Sequence, residues 1–210
     1  MKVGLGEHPR FVLRVLEERL RGYDVIIYPS FFDDKSLLMG GEYRKYFRKL
    51  LRLRKRVKIA VYPDYFYRIP SFVKCLDVIW IYPLHSLSEL GFVLRLSDVV
   101  ELYLGFPNRS ELRDYSLTRF LEVARTYGFK TWLLGLKPCF RKYVCVFDAT
   151  DVSPISFNMF LSDLKKEKNL EKYIREIVEL SKVKKNEYLI TPSFNGTRAG
   201  LGPVPPVKRA

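Results

Sequence analysis

Short apolar runs alternate along this chain with longer segments in which apolar residues recur every three or four positions. Continuous apolar runs rich in Val, Ile, Tyr and Trp are typical of strands buried on both faces of a sheet. The helical period, by contrast, places apolar residues on one face of an amphipathic helix. The runs predict eight strands, at 2–5, 24–29, 58–63, 77–83, 98–105, 130–136, 143–149 and 187–191, and the periodic segments predict helices at 9–21, 41–56, 110–127 and 159–181.

A Tyr-Pro pair ends several of the runs. It occurs in Asp-Val-Ile-Ile-Tyr-Pro-Ser at 24–30, in Lys-Ile-Ala-Val-Tyr-Pro-Asp at 58–64 and in Asp-Val-Ile-Trp-Ile-Tyr-Pro-Leu-His at 77–85. Because proline has no backbone N–H, it cannot extend a central ladder, and each pair therefore marks the carboxyl end of a strand. In α/β proteins that edge of the sheet carries the chemistry.

Alternating strands and helices predict an α/β fold. Eight strands favour a small (β/α)₈ TIM-type barrel in which some helices are reduced, since the connections 65–76, 85–97 and 137–142 leave room for one or two helical turns. An open doubly wound parallel sheet is the alternative, although no Gly-x-Gly-x-x-Gly or P-loop follows the first strand. We expect one barrel domain at 1–194 and a basic tail rich in Gly and Pro at 195–210.

The charge of the chain is strongly positive and locally clustered. It carries 37 Lys and Arg against 23 Asp and Glu, a net charge of +14, and nine basic residues without an acidic one lie between Arg44 and Lys58. An ordinary solvated helix face, the alternative explanation, usually mixes signs, whereas a phosphate backbone would compensate this repulsion. We therefore expect a DNA or RNA partner, bound by Arg44, Lys45, Arg48, Lys49, Arg52, Lys55 and Arg56.

Several classes of protein are disfavoured by composition. Three scattered cysteines without a CxxC pair, and only two histidines, predict that the chain holds no metal and no cofactor. No apolar run reaches the roughly 20 residues that span a bilayer, and Met1 to Gly6 lack a signal-peptide layout. We expect no membrane partner and a cytoplasmic location.

Polar residues at the predicted strand ends are the candidate site. Since the carboxyl ends of barrel strands share one mouth, Asp64, Asp148 and Asp151 are predicted to meet there as catalytic carboxylates. His85, Asn108 and Lys137 would then contact the substrate. Aromatic residues beside these ends, Phe66 among them, could stack on a planar base.

Four segments resemble the second half of the tRNA-guanine transglycosylase family, and most closely its shorter relatives that act on DNA. They are Trp-Ile-Tyr-Pro-Leu-His at 80–85, Val-Glu-Leu-Tyr-Leu-Gly-Phe-Pro-Asn at 100–108, Lys-Thr-Trp-Leu-Leu-Gly-Leu at 130–136 and Val-Phe-Asp-Ala-Thr-Asp-Val-Ser-Pro at 146–154. Over about residues 58–158 the resemblance implies a (β/α)₈ barrel that exchanges guanine for a deazapurine through an aspartate nucleophile. It implies that Asp148 is this nucleophile, that Asp64 recognises the base, and that Gly105 occupies a substrate-binding glycine position.

The residues and the resemblance together predict a nucleic-acid base-exchange enzyme, a transglycosylase-like glycosyltransferase acting on DNA or tRNA. A non-catalytic nucleic-acid-binding protein on the same scaffold is the first alternative. A barrel enzyme for a small phosphorylated substrate, using Ser30 and Lys137, is the second, but it leaves the basic segment unexplained.

Overall fold

The computed structural model describes residues 1–186, which form eight parallel strands in a nearly closed barrel. Hydrogen-bonded neighbours follow the order β2-β1-β8-β7-β6-β5-β4-β3, and helices connect most strands around the outside. The predicted TIM-type α/β barrel is therefore confirmed. The strands are β1 (Lys2–Leu5), β2 (Val25–Ile27), β3 (Phe31–Phe32), β4 (Ile59–Val61), β5 (Ile79–Pro83), β6 (Leu102–Pro107), β7 (Lys130–Leu134) and β8 (Ala149–Val152).

Six α-helices lie within residues 1–186: α1 (Arg10–Arg19), α2 (Lys35–Met39), α3 (Tyr43–Leu53), α4 (Leu90–Ser97), α5 (Leu117–Tyr127) and α6 (Glu167–Ser181). Two of the predicted short connections contain only 3₁₀ turns, at Ser71–Cys75 and Pro138–Val146, which confirms that some barrel helices are reduced. The third connection holds α4. In this part of the chain no helix combines the length and the apolar character needed to cross a lipid bilayer.

β2 and β3 replace the single strand predicted at 24–29. β2 pairs with β1, and β3, which the sequence did not reveal, pairs with β4. Only residues 28–30 separate them, whereas a crossover between parallel neighbours requires about a dozen residues or more. The two short strands are therefore successive pieces of one path along the barrel wall, and the partner changes from β1 to β4 at the Tyr28–Pro29–Ser30 turn.

The predicted strand at 143–149 is wrong. Residues Pro138–Val146 form 3₁₀ turns that bury Val144 and Val146, and the strand β8 begins only at Ala149. An apolar run can be buried as a turn or as a strand, so its composition alone did not distinguish the two. β8 itself, Ala-Thr-Asp-Val, was hidden by two polar residues that are fully or almost fully buried. The predicted strand at 187–191 and the tail at 195–210 lie outside the described residues.

Aromatic side chains fill much of the barrel interior. Phe31 of β3 stacks on Trp132 of β7, with ring centroids 5.4 Å apart and planes within 2° of parallel. Gly4 of β1 lies against both rings, and a Cβ there would approach each of them to 2.9 Å. A glycine at this position therefore lets β1 pass close to the stacked pair. This close packing holds β1 in place next to the carboxyl ends of β3 and β8.

Candidate functional site

A cavity of about 540 Å³ opens at the carboxyl ends of β1, β3 and β8. This is the end of a parallel barrel at which active sites are found. We call it the mouth cavity. Its wall includes Gly6, His8, Asp33, Lys35, Asp151 and Phe160.

Two buried aspartates share one lysine on the wall of the mouth cavity. Lys35 Nζ lies 3.5 Å from Asp33 Oδ2 and 3.7 Å from Asp151 Oδ2. The aspartate side chains are only 7 % and 6 % exposed, whereas the lysine, at the start of α2, is 62 % exposed. Asp151 Oδ1 also accepts hydrogen bonds from Trp132 Nε1 at 3.1 Å and from the Gly135 backbone N–H at 2.9 Å. These two hydrogen bonds hold the Asp151 carboxylate in one orientation, and both aspartates border the cavity.

The two carboxyl groups experience different electrostatic environments. Burial raises the pKa of Asp33 to about 6, against the opposing charge of Lys35 and with the support of nearby Asp151 and Asp64. The charge of Asp151, in turn, and that of Asp33 raise the pKa of Lys35, so this lysine stays charged. Asp33 can therefore exchange a proton near neutral pH beside a second carboxylate that accepts two N–H donors.

A left-handed turn after β7 holds Asp151 in place. Gly135 adopts φ +65°, and its carbonyl oxygen accepts a hydrogen bond from the Asn108 side-chain amide. A Cβ on this glycine would lie 3.1 Å from that amide nitrogen, so both the conformation and the close approach require glycine. Asn108, predicted to bind substrate, thus lies beside the site and supports the turn whose N–H contacts Asp151.

Asp64 and His85 form a second polar cluster at the same end of the barrel. The Asp64 Oδ1 atom lies 3.3 Å from His85 Nε2, and the His85 Nδ1 atom lies 2.8 Å from the Leu112 carbonyl oxygen. Because a carbonyl can only accept, Nδ1 carries a proton, and a second proton on Nε2 makes the ring a cation that faces the Asp64 carboxylate. Burial alone would lower the pKa of His85, but the nearby Asp64 carboxylate outweighs burial and raises that pKa.

Tyr65 and Glu89 complete this cluster. The Tyr65 ring stacks on His85 at 4.7 Å, is 55 % exposed and stands on a backbone with φ 57°, a value unusual for a residue with a side chain. Buried Glu89 accepts hydrogen bonds from the His85 backbone N–H at 3.0 Å and from the Tyr67 hydroxyl at 2.8 Å. The cluster therefore presents one exposed aromatic face above a fixed ion pair.

Asp148 lies at the wrong end of the barrel for its predicted role. Because β8 begins at Ala149, Asp148 precedes the strand and is at its amino end, whereas Asp151 is near its carboxyl end. Its carboxylate accepts hydrogen bonds from the Thr131 N–H and hydroxyl, at 2.8 and 2.9 Å, and pairs with Lys185 at 2.7 Å. The expectation that Asp148 meets Asp64 and His85 in one pocket is thus wrong, and its contacts tie β7 to the segment after α6.

Three further predicted contacts do not line the mouth cavity. Gly105 is buried within β6, where a Cβ would come within 3.0 Å of the Tyr82 carbonyl oxygen, which is a packing requirement. Phe66 packs against Tyr43 and Phe47, with ring centroids 5.2 and 5.5 Å away. Lys137 is half-buried just before the 3₁₀ turns at Pro138–Val146.

Asp33 and Lys35 are the residues that sequence reasoning missed. They follow Phe31–Phe32 directly, in the segment Phe-Phe-Asp-Asp-Lys. The Tyr28–Pro29 pair predicts a strand end at Ser30, and the two-residue strand β3 leaves no periodic pattern. The available signal was a charged triplet after two large apolar residues. Within residues 1–186, no group of His, Cys, Asp and Glu side chains has an arrangement that could hold a metal ion.

The exposed cations of α3 are adjacent to the mouth cavity. Tyr46, Phe47 and Leu50 bury the opposite side of the helix, as the sequence predicted. Lys49 pairs with Asp34 at 2.8 Å and with Glu7 at 3.2 Å, and both partners line the cavity. We call Arg44, Lys45, Arg48, Lys49, Arg52, Lys55 and Arg56 the basic face.

Most of this charge is uncompensated. Among the described residues, only Lys45 and Lys49 of the basic face form ion pairs. Lys45, Arg48, Lys49 and Arg52, with Leu37 of α2, line a groove of about 380 Å³. An anionic ligand in this groove would lie next to the carboxylates of the mouth cavity.

No family model matches the chain. A curated relative is the "Uncharacterized protein ORF192" of Acidianus two-tailed virus, which is 33 % identical over 137 residues. The match covers 64 % of this chain and 68 % of the viral protein. The chain therefore belongs to the same family as ORF192 of Acidianus two-tailed virus.

Proposed function

We propose that this barrel is a nucleic-acid-directed base-exchange enzyme, of the transglycosylase type, in which Asp151 is the nucleophile. The observation that carries the proposal is the pair of buried aspartates, Asp33 and Asp151, that Lys35 joins on the wall of the mouth cavity. Cytoplasmic nucleic acid is the proposed substrate.

Two carboxyl groups in unlike environments suit the cleavage of a glycosidic bond. Enzymes that break such bonds use one protonated and one ionised carboxyl group, roughly 5 to 9.5 Å apart. Asp33 and Asp151 flank a single ammonium at 3.5 and 3.7 Å, which keeps their separation within the reach of such a pair. The raised pKa of Asp33, about 6, supports its assignment as the acid.

The reaction then proceeds in two matched steps. A carboxylate oxygen of Asp151 bonds to the anomeric carbon as the bond from that carbon to the base nitrogen breaks, and Asp33 gives its proton to the departing base. In the second step Asp33 takes a proton from the incoming base, whose nitrogen displaces Asp151. Lys35 stays protonated throughout and limits the charge that builds up between the carboxylates.

Other residues at this end of the barrel would recognise the base and the phosphate backbone of the substrate. The Asp64 carboxylate, 39 % exposed beside His85, offers an acceptor to a base edge, and the exposed Tyr65 ring offers a stacking surface. The basic face, which contacts the cavity through Lys49, would hold the phosphate backbone. A base must leave a double helix to reach the carboxylates, because stacked bases are inaccessible.

A matched pair of variants tests the proposal. Asp151→Asn and Asp148→Asn make the same chemical change three residues apart, at opposite ends of β8. Labelled guanine is incubated with the full-length protein and either duplex DNA or tRNA, and label incorporated into polymer is counted. We expect incorporation by the wild type and by Asp148→Asn, with a fall of at least about a thousandfold for Asp151→Asn.

Trapping the intermediate gives an independent readout. When free base is omitted, a covalent protein–nucleic acid adduct should appear on a denaturing gel for the wild type and not for Asp151→Asn. Incorporation that survives Asp151→Asn but is lost in Asp148→Asn would reject the assignment of the nucleophile. Absence of exchange and adduct on both polymers would reject the enzymatic function.

A non-catalytic nucleic-acid-binding protein is the second candidate. The largely unpaired cations of α3 favour it, because they require a polyanion but no chemistry. Steep, salt-dependent binding without release or exchange of a base would select this alternative.

A further inference from the structure

Three large apolar side chains stand exposed on the rim of the mouth cavity. Ile155, Phe160 and Leu161 follow β8, line the cavity and are 66 %, 71 % and 46 % exposed. We call them the apolar rim. Their exposure is notable because the chain buries most of its aromatic residues, including neighbouring Phe157.

The backbone that carries the apolar rim is fixed by local contacts. The Phe160 N–H donates to Asp163 Oδ2 at 2.8 Å, and the Met159 N–H donates to the Pro154 carbonyl oxygen at 3.0 Å. Met159 and Phe157 are buried on the inner side of this segment. The Phe160 ring is therefore held outward by its neighbours and projects beside the cavity.

Charge on both sides of the rim indicates what approaches it. Just beyond Leu161, the exposed Lys165, Lys166 and Lys168 outnumber the exposed Glu167 among them, and the basic face lies across the cavity near Asp34. A ligand that contacts both the basic residues and the apolar rim must have anionic groups on its surface and planar apolar groups in its interior. Double-stranded nucleic acid with one base displaced has this chemistry, because removing the base leaves an open apolar gap between two base pairs.

We propose that Phe160, flanked by Leu161 and Ile155, inserts into the base stack and fills the gap left by the nucleotide that turns into the mouth cavity. This inference rests on the proposed function, since it assumes a nucleic-acid partner, and it adds the means by which the base is extruded. An inserted aromatic side chain offsets part of the stacking energy that the displaced base loses.

A duplex that already contains a gap isolates this contribution. Fluorescence anisotropy measures the binding of the full-length protein to an intact duplex and to the same duplex with one central abasic site, both as DNA and as RNA. Variants are Phe160→Ala, Phe160→Trp and, as the control, Tyr127→Ala. Tyr127 is an aromatic residue that is 38 % exposed at the carboxyl end of α5, towards the amino ends of the strands.

The wild type should bind the abasic duplex roughly tenfold more tightly than the intact one, because base–aromatic stacking is worth about that factor or more. In the bound intact duplex the base is still stacked before it turns out, so Phe160 finds a gap only in the abasic duplex. Phe160→Ala should therefore bind both duplexes alike, with its affinity for the intact duplex unchanged within about twofold. Phe160→Trp and Tyr127→Ala should keep the preference. Circular dichroism checks that each variant is folded.

Three results would overturn the inference: no preference by the wild type, an undiminished preference in Phe160→Ala, or equal weakening of both duplexes. A wild-type dimer that Phe160→Ala dissociates, seen by sedimentation, would assign the rim to a second copy of the chain instead. Base exchange is a separate readout. A wild type that prefers the abasic duplex but exchanges no base would reject the proposed enzymatic function and still support the insertion of Phe160 into the base stack.

Discussion

Three aspartates of this barrel differ in what surrounds them more than in their chemistry. Asp33 is buried beside a lysine and another carboxylate, Asp151 accepts two N–H groups, and Asp148 is bonded to a threonine and a lysine. Burial raises the pKa of Asp33 to about 6. For Asp148, burial is outweighed by Lys185 and Thr131, which lower its pKa. The neighbouring groups, rather than the residue type, therefore distinguish the three carboxyl groups from one another.

Stability should fall as Asp33 ionises. Its folded-state pKa lies above the ordinary value of 3.8, so the folded protein holds this proton more tightly than the unfolded chain does. That advantage is present below pH 3.8 and is lost as the pH rises through about 6. Asp33→Asn avoids the loss. Relative to the wild type, it should gain about 2 kcal/mol in unfolding free energy between pH 4 and pH 7.

Urea unfolding at the two pH values measures this gain. Asp34→Asn is the control, because hydrogen bonds from Lys49, Ser36 and the Leu37 N–H outweigh burial and lower the pKa of Asp34. Its carboxylate stabilises the fold when ionised, so its replacement should not produce a gain as the pH rises. A constant difference between Asp33→Asn and the wild type would contradict the assigned environment of Asp33.

The two histidines should titrate on opposite sides of the ordinary pKa of 6.5. Burial lowers the pKa of His8, with the Gly6 carbonyl opposing, whereas Asp64 outweighs burial and raises the pKa of His85. Asp64→Asn should lower the pKa of His85 and leave His8 unchanged. Ring-proton NMR resolves both residues in one titration. A common shift of both histidines would indicate a global change of structure rather than loss of this ion pair.

At the scale of elements, α3 separates two functions between its faces. One face packs into the barrel through Tyr46, Phe47 and Leu50, and the other carries all of the basic face except Lys55 and Arg56, which follow the helix. The fold needs only the first of these, because exposed like charges repel one another. Changes confined to the basic face should therefore alter ligand binding without unfolding the helix.

Removing Arg48 and Arg52 tests this division. In the proposed complex each contacts a phosphate, so the double alanine variant should reduce the slope of log K against log salt by about 2 on duplex DNA. Arg125→Ala with Lys172→Ala removes equal charge from α5 and α6 and is the control. An equal loss of slope in both double variants would indicate that net charge, not the basic face, attracts the ligand. Unfolding midpoints should be nearly unchanged in both.

The sequence predicted the elements better than the site. Continuous apolar runs revealed β1 and β4 to β7, and helical spacing revealed α1, α3, α5 and α6, because these patterns reflect burial directly. β3 is too short to show a period, and the apolar run at 143–149 is buried as turns. The resulting shift at β8 placed Asp148 at the mouth. Asp64 and His85 follow the Tyr-Pro pairs at 62–63 and 82–83, which do lie at the carboxyl end of the barrel, whereas the pair at 28–29 lies between β2 and β3. Asp151 lies at the same end because it is near the end of β8.

For the whole molecule, the two ends of the barrel have separate tasks. The carboxyl end holds buried charge that opposes folding, while the amino end holds Asp148 with Thr131 and Lys185. Asp148→Asn should cost about 1–3 kcal/mol of unfolding free energy while base exchange continues. Because the pKa of Asp148 is lowered, this contribution is lost as the pH falls through that value, below 3.8. Thermal melts at pH 7 and pH 3 measure the effect.

The division of the barrel wall at residues 28–30 has a consequence for local opening. Asp151 belongs to β8, which is paired on both sides, whereas Asp33 follows a two-residue strand with one paired neighbour. Amide hydrogens around Phe31–Phe32 should therefore exchange with solvent sooner than those of β8. A ligand that contacts both Asp33 and Asp151 would connect the segment after β3, which has one paired neighbour, to β8, which has two. Slower exchange at residues 31–39 would then report occupancy of the cavity even before any bond is broken.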